Sequence, residues 1–344
     1  MATFPKTTCN GKKLILQFQN VPRSSTSPYS TMSIPITTQE RLSSLDSKTI
    51  FYLAYGSNLS AETFIGTRGI RPISACNVHV PTLSLTFDLA GIPYSEPCFA
   101  NTKIRDPLND PHKKHEYHKD RWHKGLIGVV YEVTPEDFRT IIATEGGGAS
   151  YQDVVVPCYT LPPGGKTVDP EPKGVPFLAH TLLQPREDSD ENRFSINTQL
   201  KDVVDATQFF QRPDPSYAQP SARYLNLITT GAEEHSLPSE YLAYLYNIRP
   251  YIITTRRQRL GQALFLAFWA PLIFAIIQLG KTFADDQGKI PSWLATLTLL
   301  VFNVMWRTYD RFYLPAFGNG ERTQYGKREL EDGDKWSWGN EKVL

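Results

Sequence analysis

Residues 49 to 66 have the sequence TIFYLAYGSNLSAETFIG. The apolar and aromatic run that begins at Ile50 predicts a short buried strand, and Gly56, Ser57 and Asn58 break it. A strand, a tight turn and a short helix are therefore expected in that order. Such a turn presents successive backbone N–H groups at a helix start, where they can hold a carboxylate or an oxyanion. The simpler interpretation is that Gly56 and Asn58 only supply turn conformations.

A second segment, GLIGVVYEVTPEDFRTIIATEGGG at residues 125 to 148, predicts a strand followed by a helix. Thr134 occupies the predicted N-cap position. Along the helix, Glu145 continues the apolar stripe that includes Ile141, so its carboxylate is expected to face the core. A sheltered carboxylate suits a general base, and the three glycines that follow leave room for a ligand. The alternative is a glutamate at a frayed helix end beside a flexible loop.

Two later stretches extend this pattern. YQDVVVPCYT, residues 151 to 160, predicts a strand whose first residue, Tyr151, could close over the same pocket as Glu145. Residues 220 to 248 predict a packed pair of helices, because apolar residues recur at helical spacing and Pro238 begins the second helix.

Four motifs in this order resemble the γ-glutamylcyclotransferase family. They are FYLAYGSNL at 51 to 59, FANTKI at 99 to 104, GVVYEV with a following helix that ends in EG, and PSxxYxxxIxxGAxExxLPxxYxxxLxxI at 220 to 248. The resemblance is discontinuous and falls between residues 49 and 250. It implies an α+β fold, a small mixed β-barrel with flanking helices.

The resemblance also implies the roles of particular residues. The loop Tyr55, Gly56, Ser57, Asn58 and Leu59 would bind the γ-glutamyl group of the substrate. Glu145 would carry the acid and base chemistry, and Tyr151 resembles a tyrosine that follows the catalytic glutamate in the family.

The implied reaction needs no nucleophile from the protein. In a γ-glutamyl amide, the substrate's own α-amine can reach its γ-carbonyl, close the five-membered ring of 5-oxoproline and expel the free amine. The protein must fold the substrate, accept a proton from the α-ammonium and stabilise the tetrahedral oxyanion. No cofactor is therefore expected.

Composition argues against several other classes of protein. The 344 residues carry 36 basic and 35 acidic side chains, so no global field favours nucleic acid as a partner. The four cysteines are scattered and are expected to be reduced thiols. His112, His115, His118 and His123 lie in a run crowded with lysine and arginine. Their spacing does not align them on one helix face, so we expect a solvated loop and no metal site.

The catalytic domain is expected to span residues 49 to 250. It is preceded by a tail, residues 1 to 48, whose Ser, Thr and Pro content predicts disorder. Two insertions are expected within the domain, one charged at 105 to 124 and one rich in proline and acidic residues at 161 to 219. The second insertion is expected to wrap the barrel and to shape the pocket for the leaving group.

Residues 256 to 312 predict a transmembrane helical hairpin. The spans are 260 to 280, which holds no charge over about 21 residues and would rise about 31 Å, and 290 to 306, which is shorter. The spans make the lipid bilayer an expected partner. Arginines flank the pair on the outer sides, so the catalytic domain and the polar tail, residues 313 to 344, are predicted to face the cytosol. The alternative is a buried hairpin that packs on the barrel or on a second copy in a homodimer.

The leading hypothesis is a membrane-tethered enzyme that acts on a small γ-glutamyl substrate. Glutathione, γ-glutamyl amino acids and glutathione adducts of a metabolite all fit. An anchor and an enlarged pocket favour an apolar thiol adduct, as in relatives that act in fungal secondary metabolism. The second hypothesis is a catalytically silent scaffold or binding module of the same fold. Against it, a silent protein would have no chemical need for a carboxylate on a core face.

Overall fold

The computed structural model describes residues 34–43, 48–105, 122–145, 152–184, 218–285 and 289–324. Five strands form a closed barrel in the order β1-β5-β2-β6-β7. They are β1 (Ile50–Ala54), β2 (Ser74–Val80), β5 (Leu126–Val133), β6 (Gln152–Leu161) and β7 (Phe177–Leu183). Strands β3 (Leu83–Ile92) and β4 (Glu96–Ile104) pair separately as a hairpin.

Strand β5 is the centre of the barrel, since every one of its residues is buried. It pairs antiparallel with both β1 and β2, with Ile50 opposite Val133 and Ser74 opposite Glu132. The barrel closes where β1 runs parallel to β7, with Tyr52 opposite His180. The expected α+β barrel is confirmed, and its closure places the end of β1 over a sealed apolar core.

Helices cover the barrel ends and connect its strands. A short helix α1 (Gln39–Ser43) precedes β1, and a 3₁₀ turn (Ser57–Leu59) followed by a wide helical turn (Glu62–Thr67) succeeds it. The remaining helices are α2 (Pro135–Thr144), α3 (Ala222–Glu234), α4 (Ser239–Asn247), α5 (Arg256–Phe283), α6 (Ser292–Thr308) and α7 (Leu314–Phe317), and a second wide helical turn (Tyr309–Tyr313) joins α6 to α7.

The predicted cap and stripe of α2 are both observed. The Thr134 side chain accepts a hydrogen bond from the Asp137 N–H at 3.1 Å, and Phe138 and Ile141 are buried. Because this helix packs its apolar stripe on the barrel, its C-terminal end lies beside the end of β1.

Part of the predicted disordered tail is ordered. Residues 34 to 43 run along the barrel, where Ile36 forms a parallel bridge with Ala75. Arg41 then makes a bidentate contact with the buried carboxylate of Glu132, at 2.8 and 2.6 Å. The composition of the tail does not predict this segment, because its apolar content is low. Backbone pairing and one ion pair hold the segment in place, and it has no large apolar face.

The predicted bounds of the second insertion, 161 to 219, include residues that belong to the barrel. Its residues 177 to 183 are the barrel strand β7, so they belong to the core. Residues 164 to 168 lie against the turn between α3 and α4, where the Gly164 N–H donates to the Ser236 carbonyl at 2.7 Å. Residues 185 to 217, and the segment 106 to 121 of the charged insertion, lie outside the described residues.

Helices α5 and α6 form a hairpin, as the sequence predicts. Among the described residues, one helix, α5, is long and apolar enough to cross a bilayer, and its 28 residues rise about 42 Å. At 17 residues α6 rises about 26 Å, which is shorter than a bilayer core of about 30 Å. One such helix is weak evidence for a membrane span, and two spans are not shown.

The hairpin is attached to the rest of the protein by a second apolar core. Its buried members come from α5, from the α6 end and from the tip of the β3–β4 hairpin, and they are Tyr94, Phe265, Trp269, Ile273, Met305, Trp306 and Tyr309. Residues 313 to 324 then turn back towards the barrel, where the Glu321 carbonyl accepts from the Gln219 N–H at 2.9 Å. This part of the predicted polar tail is therefore folded.

Candidate active site

The YGSN turn lies at the end of β1, directly above the barrel core. Gly56 fits tightly, because a side chain there would meet the Tyr224 hydroxyl at 3.2 Å. The turn closes through a hydrogen bond from the Leu59 N–H to the Gly56 carbonyl at 3.1 Å. Because the Leu59 N–H is used in this way and its side chain is fully buried, Leu59 supports the turn from below.

Glu145 follows the last residue of α2 and points at this turn. Its Oε1 accepts a hydrogen bond from Nδ2 of Asn58 at 2.8 Å. The same oxygen lies 2.5 Å from Nη2 of Arg68, and the two side chains are 19% and 11% exposed. The sequence pattern predicts that the Glu145 carboxylate faces the core, but it does not predict Arg68 as its partner. The carboxylate is thus sheltered and charge-balanced.

The Asn58 side chain connects the carboxylate to the barrel. Its Nδ2 also donates to the hydroxyl of Tyr52 at 2.9 Å, and the residue is buried. The amide orientation follows from the chemistry, since a carboxylate oxygen needs a donor opposite it. Asn58 therefore contributes through its side chain, whereas the sequence suggested only its backbone N–H.

Three buried tyrosines surround the turn. Burial raises the pKa of Tyr52, Tyr55 and Tyr224 above the ordinary tyrosine value, so their hydroxyls remain neutral donors. The Tyr55 hydroxyl donates to the Leu182 carbonyl at 2.6 Å. The Tyr224 hydroxyl accepts from the Ala100 N–H at 3.1 Å, so it retains its own proton for another partner.

A pocket opens between these groups. It is lined by Tyr52, Tyr55, Gly56, Ser57, Asn58, Ala100, Glu145, Leu182 and Tyr224. The lining combines the Glu145 carboxylate and several hydrogen-bond donors with the apolar side chains of Leu182 and Ala100. A pocket with a few placed polar groups is the usual form of a small-molecule site.

A further polar pair supports the turn from the inside of the barrel. The Tyr131 hydroxyl lies 2.7 Å from Nε2 of His235 and 3.3 Å from the Asn58 carbonyl. Burial lowers the pKa of His235 to about 4, so the ring is neutral near pH 7. This pair holds the underside of the turn without adding a charge.

Most of the residues proposed from sequence come together at this pocket. Tyr55, Gly56, Ser57, Asn58 and Glu145 all line it, whereas Leu59 lies beneath it. Tyr151 and the glycines 146 to 148 lie outside the described residues.

Three contributors were missed by sequence analysis: Tyr52, Arg68 and Tyr224. The position of Tyr224 within the motif PSxxY could have signalled its role. Nothing in the local sequence around Arg68 indicates its partner, because Glu145 is 77 residues away.

No metal site is found at this pocket or elsewhere in the described ranges, where no group of three or more His, Cys, Asp or Glu residues is arranged to hold an ion. Three of the four histidines in the charged run lie in the segment 106 to 121, outside those ranges.

This chain is similar to several known proteins. The γ-glutamyl cyclotransferase gliK of Aspergillus fumigatus is 31% identical over 280 residues, which cover 79% of this chain and 89% of that protein. This chain belongs to the γ-glutamyl cyclotransferase family. The γ-glutamyl cyclotransferase aclK of Aspergillus oryzae is 29% identical over 82% of this chain and 93% of its own length.

Two family descriptions match separate parts of this γ-glutamyl cyclotransferase chain. Residues 182–245 match the AIG2-like family, and residues 255–316 match the AclK C-terminal domain. A solved γ-glutamyl cyclotransferase structure is 19% identical, with a TM-score of 0.39 over 61% of this chain and 93% of that one. The match to the AclK C-terminal domain covers both helices of the hairpin, α5 and α6.

Proposed function

We propose that this protein is a membrane-associated γ-glutamylcyclotransferase. It would convert the γ-glutamyl group of a glutathione-derived or γ-glutamyl amino compound into 5-oxoproline and release the free amine. One observation carries this proposal: the carboxylate of Glu145 and the YGSN turn face the same pocket and are joined directly by the Asn58 amide.

In the proposed first step the glutamyl group lies in the pocket with its α-ammonium against Glu145. The carboxylate accepts one proton, and the freed amine attacks the γ-carbonyl carbon to close the ring. The negative charge that develops on the carbonyl oxygen needs donors in a sheltered site. The hydroxyls of Tyr52 and Tyr224 suit that task, because each already accepts one hydrogen bond and keeps a proton to donate.

In the second step the tetrahedral intermediate collapses. The bond between the γ-carbon and the amide nitrogen breaks as Glu145 returns its proton to that nitrogen. The ring nitrogen, which still carries one extra proton after the attack, passes that proton to the released amine. The products are 5-oxoproline and a free amine, and the enzyme regains its starting protonation state. The pocket wall that contains Leu182 and Ala100 is the proposed contact surface for the apolar part of a glutathione adduct.

The test is a panel of γ-glutamyl compounds: glutathione, γ-glutamyl amino acids and a glutathione adduct with an apolar thioether. Mass spectrometry of 5-oxoproline measures turnover. We expect Glu145→Gln to lower turnover at least about a hundredfold, since it keeps the shape but removes the base. Glu136→Gln is the matched control, because that exposed carboxylate lies on the same helix. Full activity in Glu145→Gln would refute the assigned role, and an inactive wild type would favour a silent scaffold.

The membrane association is proposed from the outer surface of the hairpin. Large apolar side chains there are exposed, among them Leu260, Phe268, Leu272, Phe274, Ile277, Trp293 and Leu300. Contiguous apolar surface of this kind marks a contact with lipid or protein. Arg256, Arg257, Arg259, Arg307 and Arg311 lie at the end of the hairpin nearest the barrel. Under the positive-inside rule, the barrel would then face the cytosol.

A further inference from the structure

The two oxygens of the Glu145 carboxylate have unequal surroundings. Oε1 receives two donors, the Asn58 amide at 2.8 Å and the Arg68 guanidinium at 2.5 Å. Oε2 has no hydrogen-bond partner among the described residues. A carboxylate held through one oxygen leaves the other oxygen to exchange a proton with a ligand in the pocket.

Arg68 is itself fixed by a second contact. Its Nη1 donates to the hydroxyl of Thr144, the residue before Glu145. The guanidinium therefore contacts the end of α2 at two points, the Thr144 hydroxyl and the Glu145 carboxylate. Its planar fork makes such a two-point contact rigid, which a lysine cannot reproduce.

Arg68 does not line the pocket. It lies behind the carboxylate, at the end of the helical turn Glu62–Thr67, where its N–H bonds the Thr63 carbonyl at 3.0 Å. That turn begins directly after the YGSN turn. The Arg68 guanidinium thus connects the segment that carries the YGSN turn to the end of α2, and it fixes the distance between the turn and Glu145.

We infer that Arg68 is a positioning residue that fixes Glu145 with Oε2 directed at the substrate's α-ammonium. The inference rests on the proposed cyclisation and assigns a task to a side chain outside the pocket. A carboxylate that can rotate loses the near-attack geometry, and a misplacement of about 1 Å can cost about a hundredfold in rate.

The test compares kcat and KM for Arg68→Met, Arg68→Lys and the matched control Arg71→Met. The Arg71 guanidinium contacts the Ile65 and Ile70 carbonyls and no carboxylate. We expect Arg68→Met to lower kcat by about 10- to 100-fold with little change in KM, and Arg68→Lys to recover part of that loss. Added guanidinium ion should raise the activity of Arg68→Met and leave Arg71→Met unchanged.

The double variant Glu145→Gln/Arg68→Met separates positioning from general support of the fold. If Arg68 acts through Glu145, the second change has almost no effect once the base is absent. Losses that multiply would overturn the inference. Should Arg68→Met fail to fold, Thr144→Val keeps the cation and removes its second contact, together with the bond from the Thr144 hydroxyl to the Thr140 carbonyl of the same helix. A twofold to tenfold fall in kcat is expected. Unchanged kcat in both Thr144→Val and Arg68→Lys would overturn it.

These results are distinct from a failure of the proposed function. An inactive wild type would remove the cyclisation and this inference together. An active wild type with a fully active Arg68→Met would remove this inference alone.

Discussion

The barrel and the helical hairpin differ in how much of their apolar surface is buried. The barrel encloses its core on all sides, so that Leu53, Val129 and Val130 are completely buried. The hairpin buries one face in the second core and leaves the other exposed, with Phe268 60% and Leu300 58% accessible. Exposed apolar area on this scale is unfavourable in water. The comparison shows that the barrel covers its own apolar residues, whereas the hairpin leaves an apolar face uncovered, which is the basis of the proposed membrane association.

The contact between the two regions is small and polar at its edge. Tyr94, at the tip of the β3–β4 hairpin, places its ring in the second core and donates from its hydroxyl to the Gly318 carbonyl at 2.7 Å. Gln262 of α5 donates back to the Tyr94 carbonyl at 2.7 Å. Strand β4, which follows Tyr94, also contains Ala100 of the pocket lining. The helical hairpin therefore packs against an element that contributes to the pocket.

The largest expected effect concerns the proposed binding of the hairpin to lipid. The triple variant Phe268→Gln, Leu272→Gln, Ile277→Gln changes three exposed side chains of α5. Each would lose about 1.5–3 kcal/mol of apolar transfer energy, so membrane binding should weaken by at least about 1,000-fold. Membrane flotation measures this partition.

The matched control changes three exposed apolar residues of β6, β7 and the connection between them: Val155→Gln, Val175→Gln and Leu178→Gln. It should leave flotation unchanged. If the triple variant still floated with membranes, or if the wild type never did, the contrast between the two regions would not concern lipid.

A second variant tests the connection between the regions. Tyr94→Gly removes the ring and hydroxyl but accepts the backbone φ of 64°. Loss of a fully packed aromatic ring costs about 3–5 kcal/mol, so the hairpin should detach and become sensitive to protease near residue 254. Tyr94→Phe, which keeps the ring, should lose only about 1–2 kcal/mol. Equal protease resistance in wild type and Tyr94→Gly would show that the second core does not depend on this residue.

A third prediction concerns the response of the barrel to acid. Because the pKa of His235 is about 4 in the fold and about 6.5 when unfolded, the unfolded chain binds a proton first as the pH falls. This one group therefore lowers the free energy of unfolding by up to about 1.4 kcal/mol per pH unit between pH 6.5 and 4. His235→Asn should show a shallower decline in that window, measured by urea titration at several pH values.

His180 provides the opposite sign for comparison. The Asp153 hydrogen bond raises the pKa of His180, so its stabilisation is complete at pH values below the unfolded pKa and is lost as the pH rises through the folded one. His180→Asn should therefore reduce stability more at low pH than at high pH. Identical slopes in the two variants would contradict both assignments.

The smallest expected effect concerns the ordered segment before β1. Arg41→Met removes the cation from the 2%-exposed Glu132, which keeps the Ser74 and Thr49 hydroxyls at 2.6 and 2.9 Å. Since Arg41 is half exposed, the loss should be only about 1–2 kcal/mol. Arg139→Met breaks an exposed pair with Glu136 and should cost nothing measurable in the same denaturation assay. Equal losses would mean that burial of Glu132 is irrelevant.

Local patterns predicted those parts of the fold that local forces create. The cap at Thr134, the apolar stripe of α2 and the break after Tyr55 all depend on residues within a few positions of each other. Strand β7 was missed, since FLAHTLL lies in a proline-rich and acidic surrounding that suggested a loop. The ordered residues 34 to 43 were missed because backbone pairing to β2 leaves no trace in composition.

The sequence by itself determined a buried strand that ends in a glycine turn, a carboxylate on the core face of a later helix, and an unusually apolar C-terminal hairpin. These follow from period and composition, which act over short distances. Only the tertiary structure decided that Arg68 and Asn58 share one oxygen of Glu145, and that Tyr224 faces the same pocket. The two contacts to Glu145 join residues 77 and 87 positions apart. They exist because β5 pairs with β1 and α2 then packs back along the barrel, which brings the end of α2 to the end of β1.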